Sequence, residues 1–244
     1  MLKFRCENIT KNYQGDPVIQ DVTLSINSGQ IVSLIGSSGV GKTTLFNVLS
    51  GLDLPDIGKV YLADEDITGQ SGKVGYMQQK DLLLPYKTII DNVSLPLMLK
   101  GESKKSARAK AEPFFATFGL EDTQKKYPHQ LSGGMRQRAA FLRTYLFCDK
   151  IMLLDEPFSA LDTITKRKMH KWFLDMKQKI GAGILFITHD IDEALRLSDK
   201  ILIMSGVPGK ITNAIEISPD LKRDDFELSL EYTQLKKQII QNIL

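Results

Sequence analysis

The chain has 244 residues, 42% of them apolar and 25% charged, the usage of ordinary folded proteins, which excludes disordered and fibrous classes. A net charge of only +3 gives no reason to expect a nucleic-acid partner, and the basic run KGESKKSARAK at 100–110 reads as a solvated helix face. No apolar stretch approaches the roughly 18–20 residues that cross a bilayer, and MLKFRCENIT lacks the apolar core of a signal peptide, so a cytosolic chain is expected.

Near the start, DVTLSI (21–26) alternates Val22, Leu24 and Ile26 on one face, as a half-buried strand of an antiparallel sheet requires. IVSLIG (31–36) is a short apolar run entering a glycine-rich turn. KTTLFNVLSGL then carries Leu45, Val48 and Leu49 at helical spacing and stops at Gly51, giving strand, loop, helix. KVYLA (59–63) and KVGYM (73–77) are further strands. The near-continuous apolar runs IMLLD (151–155), GILFIT (183–188) and KILIMS (200–205) fit parallel strands buried on both faces.

Residues 85–145 change to a helical pattern, with TIIDNVSLPLML broken at Pro96 and SKKSARAKAEPFFATFGL interrupted at Pro113. The tail DDFELSLEYTQLKKQIIQNIL places Phe226, Leu230, Leu235, Ile239 and Ile243 at roughly helical spacing. The expected organisation is a single α/β domain: a core over 1–84 and 146–212 with an N-terminal antiparallel β-subdomain, an inserted helical subdomain over 85–145, and a helical tail over 213–244. Cys6 and Cys148 have neither a CxxC spacing nor a nearby histidine cluster and read as small packing residues.

Three segments carry chemistry. GSSGVGKT (36–43) fits the phosphate-loop pattern between a strand and a helix. Gly36, Gly39 and Gly41 let backbone N–H groups wrap phosphates, Lys42 brings a point charge to the β and γ oxygens, and Thr43 offers a hydroxyl to Mg²⁺. Ser37, Ser38, Val40 and Thr44 complete the nucleotide-binding segment. IMLLDE (151–156) ends a strand in two carboxylates that must point to opposite sides, so Asp155 and Glu156 cannot share one role. One can anchor a metal shell while the other orients or deprotonates the attacking water. In LSGGMRQ (131–137), Ser132 caps a helix after a Gly-rich turn, and such a helix N-terminus is a second anion-binding surface.

The ordered set GSSGVGKT, Gln79, LSGGMRQ, IMLLDEP, SALD (159–162) and THD (188–190) resembles the ATP-binding cassette family. The resemblance implies an α/β phosphate-loop NTPase that hydrolyses Mg²⁺-bound ATP to ADP and phosphate. It implies a head-to-tail dimer in which Ser132, Gly133 and Gly134 of one subunit close over ATP held by the other. It assigns Asp155, with Thr43, to the metal shell, Glu156 to the hydrolytic water, His189 to the γ-phosphate and Tyr13 to stacking on adenine. Asp162 belongs to the loop resembling the family's link between the two sites. Gln78 and Gln79 can each reach the metal and water, and alignment with the family pattern favours Gln79.

QKDLLLPYKTIIDNV (79–93), HQLSGGMRQR and THDIDEALRLSDKILIMSGVPGKI resemble importer subunits serving nitrate, sulfonate, taurine and thiamine-precursor uptake. Tyr86 and Val207 depart from that group, which often has Trp and Arg at these places. The implied partners are a second copy of the chain, integral membrane permease subunits docking near LLLPY, and a solute-binding protein, with the chain peripheral on the cytoplasmic membrane face. The rival readings are a non-transport cassette ATPase and a different phosphate-loop enzyme. The first rival would bring long coiled coils or a second cassette, and neither is seen in the sequence; the second would bring a base-reading NKxD motif, which the sequence lacks, and would leave LSGGM unexplained.

Overall fold

A computed structural model of the chain describes residues 3–148, 150–218 and 229–243. The N-terminal hairpin is β1 (Lys3–Tyr13) and β2 (Asp16–Asn27), joined by β4 (Ile57–Leu62) and β5 (Glu65–Asp66) into an antiparallel sheet of order β2-β1-β4-β5. The alternation in β2 is realised: Val22, Leu24 and Ile26 are buried and the residues between them face outward or the rim.

The second sheet contains β3 (Ile31–Ile35), β6 (Gly75–Met77), β7 (Ile151–Asp155), β8 (Gly183–Ile187), β9 (Lys200–Ser205) and β10 (Lys210–Glu216). Its order is β10-β9-β3-β8-β7-β6, parallel throughout except for β10 at the edge. Every residue of β3, β7 and β8 is buried, which is why these runs have no polar alternation. Leu153 and Leu185 pack toward the antiparallel sheet with Phe46 and Val48 of α1 (Lys42–Leu49), whereas Met152, Leu154, Ile184 and Phe186 face the helices on the other side.

Those helices are α2 (Ile89–Leu99), α3 (Lys104–Ala111), α4 (Phe114–Thr117), α5 (Gly133–Phe147) and α6 (Thr163–Ile180). Phe118, Phe141, Phe158 and Phe173 form edge-on aromatic contacts at their centre, with Trp172 over Phe118 at 4.2 Å. The basic run lies on α3, whose Ala107 and Ala111 are buried while Arg108 makes a bidentate pair with Asp91 at 2.9 and 2.8 Å. That pair, chiefly the Arg108 hydrogen bond, holds the Asp91 carboxyl down to about 2.

Three expectations need correction. Pro96 does not break α2, which continues through it to Leu99; only the bond to the Asn92 carbonyl is lost, and the helix ends within a turn. The tail does not begin at 213 as helix, because β10 runs to Glu216 as the edge partner of β9. In the terminal helix α8 (Leu230–Ile243), Leu230 is exposed, and Tyr232 and Ile239 supply the buried face against β9 and α7 (Ile191–Leu197). Phe226 lies outside the described residues.

Candidate functional site

The parallel strands all end at one edge of the sheet, where open α/β folds hold their ligands. From β3 the chain turns through residues 36–41 into α1. Gly39 and Gly41 take φ values of +82° and +102°, which side chains resist, and Gly41 is the N-cap of α1 with no side-chain cap on the first turn. Those first N–H groups are therefore available to an anion. Gly36 is required for a different reason from the one expected. Its φ is not positive, but a Cβ there would lie 2.2 Å from the Met204 carbonyl oxygen on β9.

Lys42 crosses over the loop and donates to the carbonyls of Gly36 at 2.9 Å and Ser37 at 2.8 Å. Burial holds its ammonium below the usual lysine range, against the pull of Glu156 and Asp155. A cleft of about 290 Å³ lies beside it, lined by Ser38, Gly39, Gly41, Lys42, Thr43, Thr44, Gln79, Asp155 and Glu156, with Val18 and Ile187 as apolar walls. Among the described residues Tyr13, Gly36, Ser37 and Val40 do not line it. Val40 is buried beneath the loop. Tyr13, at the end of β1, keeps an exposed ring while its hydroxyl donates to Asp53; burial first, then Asp53, pushes that hydroxyl up to about 12.

Asp155 ends β7 and is buried, and its carboxylate accepts from the Thr43 hydroxyl at 3.1 Å. Burial raises its pKa, with the Thr43 bond opposing. Among the described residues no group of three or more His, Cys, Asp and Glu side chains could hold a metal by itself. One hydroxyl and one carboxylate, both hard oxygen donors, fit an ion such as Mg²⁺ that keeps waters and substrate phosphates in its shell.

Glu156 leaves the strand with φ +51°, a left-handed backbone that costs a residue with a side chain roughly 1–2 kcal/mol. This turn separates its carboxylate from that of Asp155. The amide of Gln79 donates to Glu156 Oε2 at 3.3 Å, and His189 Nδ1 lies 3.4 Å from Oε1. His189 stands between β8 and α7, with its side chain 69% exposed. Gln78 instead lines a separate apolar groove, so only Gln79 reaches the carboxylates.

Ser132 is the N-cap of α5 and accepts from the Met135 N–H at 3.3 Å, as the cap reading requires. Ser132, Gly133 and Gly134 are not part of the 290 Å³ cleft; Gly133 borders another, of about 430 Å³, together with Gln79, Ser159 and Ala160. Asp162 also lies away from the nucleotide cleft, accepting the N–H groups of Ile164 and Thr165 at the start of α6 at 3.1 and 3.0 Å. Val18 and Gln137 touch the site without belonging to the functional residues drawn from the motifs. Val18 is only an apolar strand residue in sequence, while Gln137 is the last residue of LSGGMRQ and could have been noticed as an amide that shares the buried side of α5 with Ala140, Phe141 and Thr144.

The family described as "ABC transporter" matches residues 19–159. A formylaminopyrimidine import ATP-binding protein, ThiZ of Halalkalibacterium halodurans, is 43% identical over 226 residues, covering 91% of this chain and 88% of that protein. A taurine import ATP-binding protein, TauB of Yersinia pestis, is 39% identical over 206 residues, covering 84% and 81%. The solved dimeric structure of a bacterial ABC transporter cassette superposes with a TM-score of 0.81 at 30% identity, covering 88% of this chain and 99% of that one. A second solved structure, a post-hydrolysis cassette dimer bound to ADP and phosphate, gives a TM-score of 0.80 at 29% identity. The cleft, its paired carboxylates and these likenesses together place the chain in the ABC transporter family, as an ATP-binding subunit with the cassette ATPase fold.

Proposed function

We propose that this subunit hydrolyses ATP between two copies of itself arranged head to tail and uses the cycle to drive import of a small solute. The observation that carries the reading is that two glycine-flanked helix N-termini, those of α1 and α5, each suited to an anion, stand on one chain, and only the first belongs to the cleft with the carboxylates. The α5 surface then serves the partner's nucleotide, through Ser132, Gly133 and Gly134.

In each site the loop N–H groups from Gly39 to Thr44 bind the phosphates, and Lys42 exchanges its carbonyl partners for phosphate oxygens. Thr43, Asp155 and Gln79 would hold Mg²⁺, which would supply positive charge to the phosphates. Glu156 takes the proton of the attacking water or fixes its orientation. Gln79 and His189, already bonded to or beside that carboxylate, hold its direction, and His189 is exposed enough to reach the γ-phosphate. Asp162 acts by shaping the loop between the two sites rather than by touching nucleotide.

Tyr13→Ala is expected to weaken ATP binding by roughly 1–3 kcal/mol, the range for an aromatic ring stacked on a base. Its ring is exposed and its hydroxyl is anchored, so the ring is a ready platform. Titration should show the loss in affinity with turnover of saturated enzyme largely kept; unchanged affinity would put the adenine elsewhere.

Among the described residues no helix is long and apolar enough to cross a membrane, and in this reading integral membrane permease subunits carry the solute. We assign their docking site to an apolar groove of about 340 Å³ between the α/β core and the helical insertion, bordered by Leu82, Leu84, Leu95, Pro96 and Leu99. The Leu82 and Leu99 side chains are exposed, at 50% and 77%. The partner set includes a solute-binding protein, and the chain works on the cytoplasmic face. Leu95→Glu with Leu99→Glu should abolish co-purification with the permease while ATP hydrolysis by the free subunit stays near wild type; retained association would move the contact away from this groove.

A further inference from the structure

Gln137 is buried, with 6% of its surface exposed, and belongs to no catalytic set considered so far. It lies one turn into α5 and spends its amide on the segment that follows β7. Nε2 donates to the Glu156 carbonyl at 2.8 Å and to Ser159 Oγ at 3.2 Å, while Oε1 accepts from the Ala160 N–H at 3.0 Å. The Ser159 hydroxyl also donates to the Glu156 carbonyl, at 3.0 Å. One side chain therefore grips both ends of the turn from 156 to 160. Close approach makes this possible: a Cβ on Gly134 would lie 2.8 Å from the Ala160 carbonyl oxygen.

Glu156 needs such a grip. Its left-handed backbone is intrinsically unfavourable, and such conformations persist only where the surroundings over-determine them. The main-chain N–H of Glu156 is bonded to the Ile187 carbonyl at 3.1 Å, which fixes one side of the residue. Its carbonyl is fixed on the other side by Gln137 and Ser159. With both peptide planes held, the Cα–Cβ direction is set, and the carboxylate points at Gln79 and His189 rather than swinging toward Asp155. A carbonyl released from Gln137 would let the turn relax toward a right-handed backbone and carry the carboxylate away.

We propose that Gln137 is a positioning residue for ATP hydrolysis: from α5 it holds the main chain of its own protomer's Glu156, and thereby the aim of the carboxylate. The proposal rests on the head-to-tail reading, since α5 of the same protomer presents Ser132 to the other nucleotide.

Two substitutions test it. Gln137→Leu keeps the volume and removes all three bonds; Gln137→Glu keeps the acceptor for Ala160 and removes the donor to Glu156. Each should lower kcat at least tenfold with KM for ATP within about twofold, and each should still form dimers with ATP. The deficit of Gln137→Glu should narrow as pH falls, because the protonated acid can donate to the Glu156 carbonyl again. A protein weakened only in its packing would show no such recovery. Should Gln137→Leu fail to fold, the glutamate variant alone decides.

A mixed dimer separates this idea from the reading beneath it. Combining Lys42→Ala chains with Ser132→Arg chains leaves one intact site, whose loop and Glu156 come from the Ser132→Arg chain. Turnover with Gln137→Leu on the Ser132→Arg chain should be at least tenfold below turnover with the same change on the Lys42→Ala chain. Equal turnover in the two placements, with dimers present, overturns the role of Gln137. Absence of ATP-dependent mixed dimers before Gln137 is altered overturns the head-to-tail reading, and the proposal with it.

Discussion

Glu156→Gln should bind ATP as the unaltered protein does and hydrolyse it some 10²–10⁴-fold more slowly, the usual worth of a positioned general base. A carboxylate offers phosphate no donor, and the groups proposed to bind it are placed without Glu156: Lys42 is anchored to loop carbonyls and Thr43 to Asp155. Glutamine preserves the shape and can still accept from Gln79. What it loses, in the proposed mechanism, is the ability to take a proton, together with the charge that faces His189 and would orient water. Because closure around ATP then leads to no product, the variant should accumulate as a dimer in the presence of ATP. Light scattering with parallel phosphate-release assays reads both effects, and wild-type turnover or an absent dimer would remove Glu156 from the chemistry.

Ser132→Arg should abolish ATP-dependent dimerisation and hydrolysis together while each chain still binds ATP through Lys42 and Tyr13. If Ser132 were only the cap of α5, the change would cost about 0.5–2 kcal/mol of stability and little else. In the proposed head-to-tail dimer the bulky side chain would enter the space of the partner's γ-phosphate. Mixed with Lys42→Ala chains, the variant should recover dimers and one working site, because both lesions fall on the same nucleotide site and leave the other intact. Sedimentation with and without ATP reads the outcome. No recovery from two folded variants would mean that Ser132 does not act across an interface.

The parts of the fold that were readable from sequence are those set by local rules. IMLLD and GILFI must be strands buried on both faces, since nothing in them could face water, and the loop glycines at 39 and 41 mark backbone that side chains resist. What escaped depends on contacts between distant segments. Gly36 is small because β9 passes over it, Gln137 matters because α5 lies against the turn after β7, and Val18 becomes a wall only when β2 meets the phosphate loop. Pro96 departs from the expectation because a proline's local signal does not fix where a helix stops: α2 loses the bond to the Asn92 carbonyl and continues to Leu99. Leu230 and Tyr232 show that helical spacing in a tail names a periodicity before it names the buried face.

The strand order has a consequence for synthesis. Ile31 pairs with Ile184 on one side of β3, and Val32 pairs with Lys200 on the other. As the chain leaves the ribosome, the strand that delivers the phosphate loop therefore has bare edges on both sides until residues 183–205 have emerged. Five uncharged residues with two open edges are a template for pairing with the wrong chain. ATP cannot protect them, because a ligand stabilises only the state that binds it, and that state awaits the last parallel strands. Nascent chains stalled before β8 should depend on chaperones far more than chains stalled after β9.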